Sequence, residues 1–258
     1  MSLNKNKLID DIVKVAKNAT RDKNLIGNID NRLGSIRYVE DCNLIIDNLS
    51  KNSKILDLGC GVGHISYILY KQGFKNVIAS EIFDKEPLFL EFLKEEEGIT
   101  IDYIKANILE DNVLNDYKFD AILICGVLEH VPDMRKFLKK CFNILVPGGK
   151  LFILQFPNKT SLFEKINDFR GKSSHDIRLS KNEINLLLRF SEFKVEHCSY
   201  HQFLPYALNG LPKKLRDLYY KYAFLIRLLD KILFKTPILR IGSTSIQAIG
   251  SKSTSCKS

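Results

Sequence analysis

Three glycines in the run Lys54-Ile55-Leu56-Asp57-Leu58-Gly59-Cys60-Gly61-Val62-Gly63-His64 alternate with other residues directly after an apolar stretch. A G-x-G-x-G loop can turn tightly and let a ligand approach the backbone with no Cβ in the way. If a helix follows, its free N–H groups and positive dipole end favour an anionic group. This chemistry suits a nucleotide-like cofactor. The position where a dinucleotide fingerprint would place its third glycine holds His64, so G-x-G-x-x-G fails. No G-x-x-x-x-G-K-[ST] occurs, which excludes a P-loop. Downstream, Asn76-Val77-Ile78-Ala79-Ser80-Glu81 ends in a carboxylate 18 residues after Gly63. Such a carboxylate can accept both hydroxyls of a ribose; the plainer alternative is a solvated charge at a strand end. His197 and His201 are four apart, a metal-binding spacing on a helix, but they fall in a segment read as a strand.

The elements that must position these residues follow from periodicity. Residues 4–18 predict an amphipathic helix, 19–36 a loop, and 38–49 a second helix. Then come strand 54–58, helix 64–72, strand 76–80, helix 85–95, strand 99–104, strand 119–124, helix 133–145 with Asp133 as N-cap, and strand 149–156. This alternation predicts βαβ units, a parallel sheet, and a ligand at the carboxyl ends of the strands. Ser161-x-x-Glu164 and Ser180-x-x-Glu183 read as capping boxes. Strands 193–200 and 244–250 follow, with an insertion over 203–241 and a polar tail, 251–258, expected to be disordered.

The loop Asp57–Gly63, Glu81, Val127-Leu128-Glu129-His130-Val131 and Leu145-Val146-Pro147-Gly148-Gly149 occur in one order. Together they resemble the class I S-adenosylmethionine-dependent methyltransferases, and within them the small-molecule and lipid branch that includes ubiquinone-biosynthesis enzymes. The resemblance covers roughly residues 36–200. It implies one α/β domain with a Rossmann-like, seven-stranded, mostly parallel sheet, helices on both faces and the last strand antiparallel. The residues would divide into N-terminal helices 1–50, a cofactor-binding core 51–200 and a helical insertion before the last strand.

The resemblance also implies S-adenosyl-L-methionine as cofactor and S-adenosyl-L-homocysteine as product. Asp57, Gly59, Cys60, Gly61 and Gly63 would line its methionine and ribose, Glu81 would hold the ribose hydroxyls, and Ile82 would pack near the adenine. Asn107, with Ile108 beside it, stands where the family usually has an Asp that reads the adenine amine. An amide carbonyl can accept the same bond without a charge. Cys125 opens the segment that leaves the fourth strand towards the methyl group. His130 is the candidate general base, because an imidazole titrates near neutrality; alternatively it orients the loop or touches the acceptor. Glu129, His175, Arg37 and Tyr38 are the further candidates for binding the acceptor. Metal-dependent relatives need carboxylates just past the fourth strand, where Cys125 and Gly126 stand, so no catalytic metal is expected.

Composition narrows the rest. The chain has 258 residues, 45% hydrophobic, with a formal net charge of +9. The six cysteines form no C-x-x-C, which suggests reduced thiols in the cytoplasm. The N-terminal residues carry no secretory pattern. In the insertion, aromatic and aliphatic residues alternate with eight Lys or Arg against Asp217 and Asp230. That pattern fits a cap packed on the sheet, or a peripheral contact with an anionic membrane surface on the inner face. Either suits a hydrophobic, lipid-linked or glycan-intermediate acceptor. Nucleic acid is not favoured: no [DN]-P-P-[YF] follows the fourth strand, no Pro-Cys dipeptide occurs, and no RNA-binding module is appended. Ribose methylation of RNA and a non-catalytic cofactor-binding protein remain as alternatives. The oligomeric state is left open.

Overall fold

The computed structural model describes residues 5–18, 29–171, 175–206 and 212–254. Two helices, α1 (Lys5–Asn18) and α2 (Arg32–Ile46), precede the sheet. Then follow β1 (Ile55–Leu58), α3 (His64–Lys71), β2 (Val77–Glu81), α4 (Leu88–Glu97), β3 (Asp102–Lys105) and β4 (Phe119–Cys125). After a short 3-10 turn at Leu128–His130 come α5 (Met134–Ile144), β5 (Leu145–Pro157), α6 (Leu162–Phe169), α7 (Lys181–Phe190) and β6 (Lys194–His201). Three helices of the insertion, α8 (Lys213–Lys221), α9 (Ala223–Phe234) and α10 (Pro237–Ile241), lead to β7 (Ser245–Ser251).

The seven strands pair in the order β3-β2-β1-β4-β5-β7-β6, and only β7 runs antiparallel to its neighbours. Continuous apolar runs explain the parallel part, because both faces of these strands are covered. Ile55, Ala79, Leu123 and Phe152 pack to one side, while Leu56, Ile78, Ile122 and Ile153 pack to the other. Chain order reverses between β1 and β4, so the carboxyl ends of these two strands open onto a crevice that suits a ligand. Both β1 and β4 end in glycine-containing loops there.

Several boundaries differ from expectation. The second helix begins at Arg32, inside the segment expected to be a loop; residues 19–28 of that loop lie outside the described residues. Asn31 starts it by accepting from Gly34 N at 3.0 Å, and buried Ser35 donates to Ile29 O. The glycine that seemed to punctuate a loop is instead a buried small residue within the first turn. The last strand extends to Ser251, and Lys252 still exchanges hydrogen bonds with Gly148 and Gly149, so these two residues are part of the sheet rather than a loose tail. Residues 255–258 lie outside the described residues. Ser180 and Glu183 form a complete capping box, whereas at Ser161 only the serine half forms: Glu164 turns to His175 and Arg178.

Candidate active site

The glycine loop hangs from the end of β2, with Gly59 N and Cys60 N both donating to Ser80 O. Its three glycines, which look alike in the sequence, do different jobs. All have positive φ. A Cβ on Gly59 would stand 2.6 Å from Val127 Cγ2, and one on Gly63 would stand 2.5 Å from Leu90 Cδ1. These two permit close packing of the loop against the segment after β4 and against α4. A Cβ on Gly61 would meet nothing within 4 Å. Gly61 alone faces open space.

That space is a cavity of about 300 Å³ whose walls include Gly61, Val62, Glu81, Phe83 and Pro87. Its volume lies at the lower end of the range for small-molecule sites. Glu81 Oε2 accepts from Gly61 N at 3.0 Å and Oε1 accepts from Ile82 N at 2.8 Å. The backbone thus aims the carboxylate, while each oxygen keeps a second lone pair. Ile82 and Phe83 are exposed apolar side chains at the same strand end. A larger cleft of about 620 Å³, lined by groups such as Asp10, Lys17, Arg32 and Asp217, lies between α1 and the insertion, away from these strand ends.

Other residues singled out for this site serve it indirectly. The buried Asp57 carboxylate accepts from Ser66 N at 3.1 Å and Ser66 Oγ at 2.7 Å, capping the first turn of α3 from the strand behind it. Burial pushes Asp57 up to about 6, against the Ser66 hydrogen bonds that favour the carboxylate. Cys60 and Ile108 place their side chains in the two hydrophobic clusters, so only their backbone remains for a ligand. Asn107 is half-buried, and its carbonyl accepts from Leu109 N at 3.1 Å, which ties part of its capacity to its own turn.

Beyond β4, Arg37, Tyr38, Cys125, Glu129 and His175 converge from four separate parts of the chain. The Arg37 guanidinium lies 5.8 Å from the Tyr38 ring centroid and 5.3 Å from that of buried Tyr206, within cation–π range. Glu129 is buried, with one carboxylate oxygen lacking a hydrogen-bond partner among the described residues. Burial raises its pKa; the neighbouring charges of His130, His175 and Arg37 oppose the rise. Burial likewise pushes up the Tyr38 hydroxyl and the Cys125 thiol. His130 is exposed, one residue outside this enclosure.

Behind these groups lies a cluster centred on Asp41, of which the sequence-based site candidates included only Arg37. Asp41 is buried, with His201 Nε2 2.7 Å from Oδ1, Arg37 Nε 3.8 Å from Oδ2, and a hydrogen bond from Gln155. Burial alone would raise its pKa, but His201, Arg37 and Gln155 together hold it below the usual carboxylate value. Gln155 adopts φ 60 at an irregularity in β5, a strained conformation for a non-glycine residue. The strain turns its amide onto Asp41 at the carboxyl end of the strand. His64, next to the glycine loop, lies edge-on to Tyr38 with ring centroids 4.3 Å apart. Burial pushes His64 down to about 4, with Asp41 opposing. The signal for this cluster was faint: Asp41 sits on a helix and Gln155 in an apolar strand, where single polar residues are conspicuous only once their burial is known.

Residues 56–153 match the family described as a methyltransferase domain. Over 114 residues the chain is 34% identical to the ubiquinone biosynthesis O-methyltransferase of Xylella fastidiosa, covering 42% of this chain and 46% of that protein. It is 31% identical to the Aliivibrio fischeri protein of that name, over 52% of this chain and 61% of the other. These matches therefore span about half the length of the curated relatives. Among solved structures, a SAM-dependent methyltransferase from Archaeoglobus fulgidus aligns with a TM-score of 0.54 at 18% identity, covering 83% of this chain and 92% of that one. The Burkholderia thailandensis 1,6-didemethyltoxoflavin-N1-methyltransferase, solved with 1,6-didemethyltoxoflavin and S-adenosylhomocysteine, aligns with a TM-score of 0.52 at 17% identity, covering 84% and 78%. At such identities the solved structures establish the fold. Residues 56–153 thus match a methyltransferase-domain family, and they lie in a seven-stranded sheet of the fold seen in the solved methyltransferases.

Proposed function

We propose that the protein transfers a methyl group from S-adenosyl-L-methionine to a small acceptor that is hydrophobic, lipid-linked or a glycan intermediate. The observation that carries this reading is the open space over Gly61, walled by a carboxylate that two backbone N–H groups already orient. The residues present suit the cofactor: Glu81 would hold the ribose hydroxyls, the backbone at Gly61 would allow close approach, and Ile82 and Phe83 offer apolar surface to a base. When bound, this group supplies a methyl carried on a sulfonium centre, already activated by its positive charge.

The protein's own task is then to align, to exclude water, and to take a proton where the acceptor carries one. Alignment rests on the contact between Gly59 and Val127, which holds the cofactor loop and the acceptor segment in one packed unit. Arg37, Tyr38 and Tyr206 supply a mixed aromatic and cationic wall. The enclosed position of Glu129 supports it, ahead of the exposed His130, as the group that receives the acceptor's proton. Its raised pKa moves it towards the range in which a carboxylate is an effective base near neutrality.

Calorimetry with S-adenosylmethionine and S-adenosylhomocysteine tests the first half of this reading. Incubation with methyl-labelled donor and a lysate tests the second, with label expected in the organic-soluble fraction. Absence of binding heat overturns the cofactor assignment. Label appearing in RNA, or in no fraction, overturns the acceptor class.

A further inference from the structure

Helix α9 is inverted relative to an ordinary surface helix. Its inward side carries charge: Asp230 is 1% exposed and accepts from Phe203 N and Leu204 N, each at 2.7 Å. Arg227 bridges Asp230 to Glu40 of α2. Its outward side is apolar, with Phe224, Leu225, Leu228, Leu229 and Ile232 all exposed, Phe224 at 81%. At 100° per residue these five span about 140° of one continuous face. These ion pairs, built on buried Asp230 with Arg227 and Glu40 partly buried, fix the rotation of the helix, so the apolar face cannot turn inward without stranding three charges. Ile238 of α10, 80% exposed, and Leu215 and Leu218 of α8 add to the apolar surface of the insertion.

We infer that α8–α10 dock onto an anionic lipid bilayer. Charge selects this occupant. Lys213, Lys214, Lys221 and Arg240 are exposed on the same three helices and Lys235 in the turn after α9, and Asp217 is the one exposed acid among the described residues of this segment. A second copy seated on this face would oppose these cations with themselves, whereas anionic headgroups neutralise them. A flat apolar face edged by basic residues is the arrangement of helices that lie in the membrane interface. The 12-residue α9 is about 18 Å long at 1.5 Å per residue, short of a ~30 Å hydrocarbon core. Among the described residues no helix is long and apolar enough to cross a membrane. The three helices therefore lie in the bilayer interface, along the surface and not across it. This inference rests on the surface of the insertion and holds whether or not methyl transfer occurs.

Flotation of the full chain with vesicles is the test. The parent protein is expected to float with phosphatidylcholine vesicles containing 30 mol% phosphatidylglycerol, to remain behind with phosphatidylcholine alone, and to be released by 0.5 M salt. Phe224→Ser, Leu228→Ser and Ile232→Ser combined should weaken flotation by at least ~10²-fold, since each lost buried CH₂ is worth about fourfold and the loss of about four such groups already reaches that factor. Lys213→Ser, Lys214→Ser, Lys221→Ser and Lys235→Ser combined should weaken it by a similar factor, at about fivefold per surface cation. Every substituted side chain is exposed, so melting temperature and S-adenosylhomocysteine binding should match the parent in both variants. Failure of the parent to float with anionic vesicles overturns the inference, as does equal flotation of the apolar triple variant. So does a concentration-dependent dimer in sedimentation velocity that the triple variant dissociates, which would assign the face to a second copy.

Discussion

Substituting the loop glycines one at a time separates ligand space from packing. Gly61→Ala adds a methyl where no protein atom lies within 4 Å, on a residue at φ +54. The left-handed conformation costs an L-residue ~1–2 kcal/mol, which for a chain of this size lowers the melting temperature by roughly 2–8 °C. Gly63→Ala adds the same backbone cost at φ +81, and its methyl would stand 2.5 Å from Leu90 Cδ1 and 3.0 Å from Pro87 Cβ. Overpacking typically adds ~1–3 kcal/mol, so the total is about 2–5 kcal/mol and the fall in melting temperature roughly 4–20 °C. Binding should follow the opposite order. In Gly61→Ala the new methyl occupies the ligand's side of the backbone, and a steric penalty of ~1–3 kcal/mol weakens S-adenosylhomocysteine binding about 5- to 150-fold. In Gly63→Ala, measured well below its melting temperature, affinity should stay closer to the parent. Differential scanning calorimetry and titration calorimetry on the two variants read both quantities. Unchanged affinity in Gly61→Ala would refute the argument, because the only open face of the loop would then not be where the cofactor lies.

Three further outcomes follow from the same geometry. Glu129→Gln should lower turnover on the true acceptor by ~10²-fold or more while leaving cofactor affinity intact, whereas His130→Ala should cost less than tenfold; the reverse order restores His130 as the base. His64 is buried and pushed down to about 4, against an ordinary 6.5. The unfolded chain then binds the extra proton between these values, so this histidine makes folding stability fall as pH drops from about 6.5 to 4, by ~3 kcal/mol. Asp57, raised from 3.8 to about 6, acts in the opposite sense over most of that window. The difference between the parent and His64→Phe in urea melts at pH 7 and pH 4 isolates the histidine, and parallel curves would refute it. Asp230→Ala removes a buried acceptor from two backbone N–H groups and leaves Arg227 with Glu40 alone. It should destabilise the protein by ~3–5 kcal/mol in a denaturant melt, and a loss below 1 kcal/mol would show that the ion pairs do not hold α9 in its rotation.

The elements near the glycine loop were legible in the sequence because their signals are local. Apolar runs of four to seven residues read as buried strands, and the parallel pairing that βαβ alternation implies is observed from β3 to β5. Asp133 and Ser180 capped helices where expected, each through a side-chain oxygen three residues from its partner N–H. Legibility failed where the partner is distant. Glu164 was read as the second half of a capping box, but His175 and Arg178 claim its carboxylate, and proximity in sequence lost to charge. Ser251 and Lys252 looked like a polar tail, yet backbone hydrogen bonds to neighbouring segments, which carry no side-chain signature, hold them in the sheet. Arg37, Tyr38, Glu129 and His175 were named as site residues from motif position alone, without the cluster of Asp41, Gln155 and His201 behind them.

By itself, then, the order of residues determined where glycines free the backbone for positive φ, where strands and helices alternate, and that a carboxylate follows the second strand. Each of these depends on a residue's own dihedral freedom or on the period of its neighbours. Tertiary structure alone decided that Gly61, and not Gly59 or Gly63, faces open space. It also brought Asp41 of α2 to His201 at the end of β6, and turned the apolar side of α9 outward. Those outcomes depend on what stands opposite each residue: Val127, Leu90, Gln155 and Glu40 are remote in sequence, and no local pattern encodes the space between them.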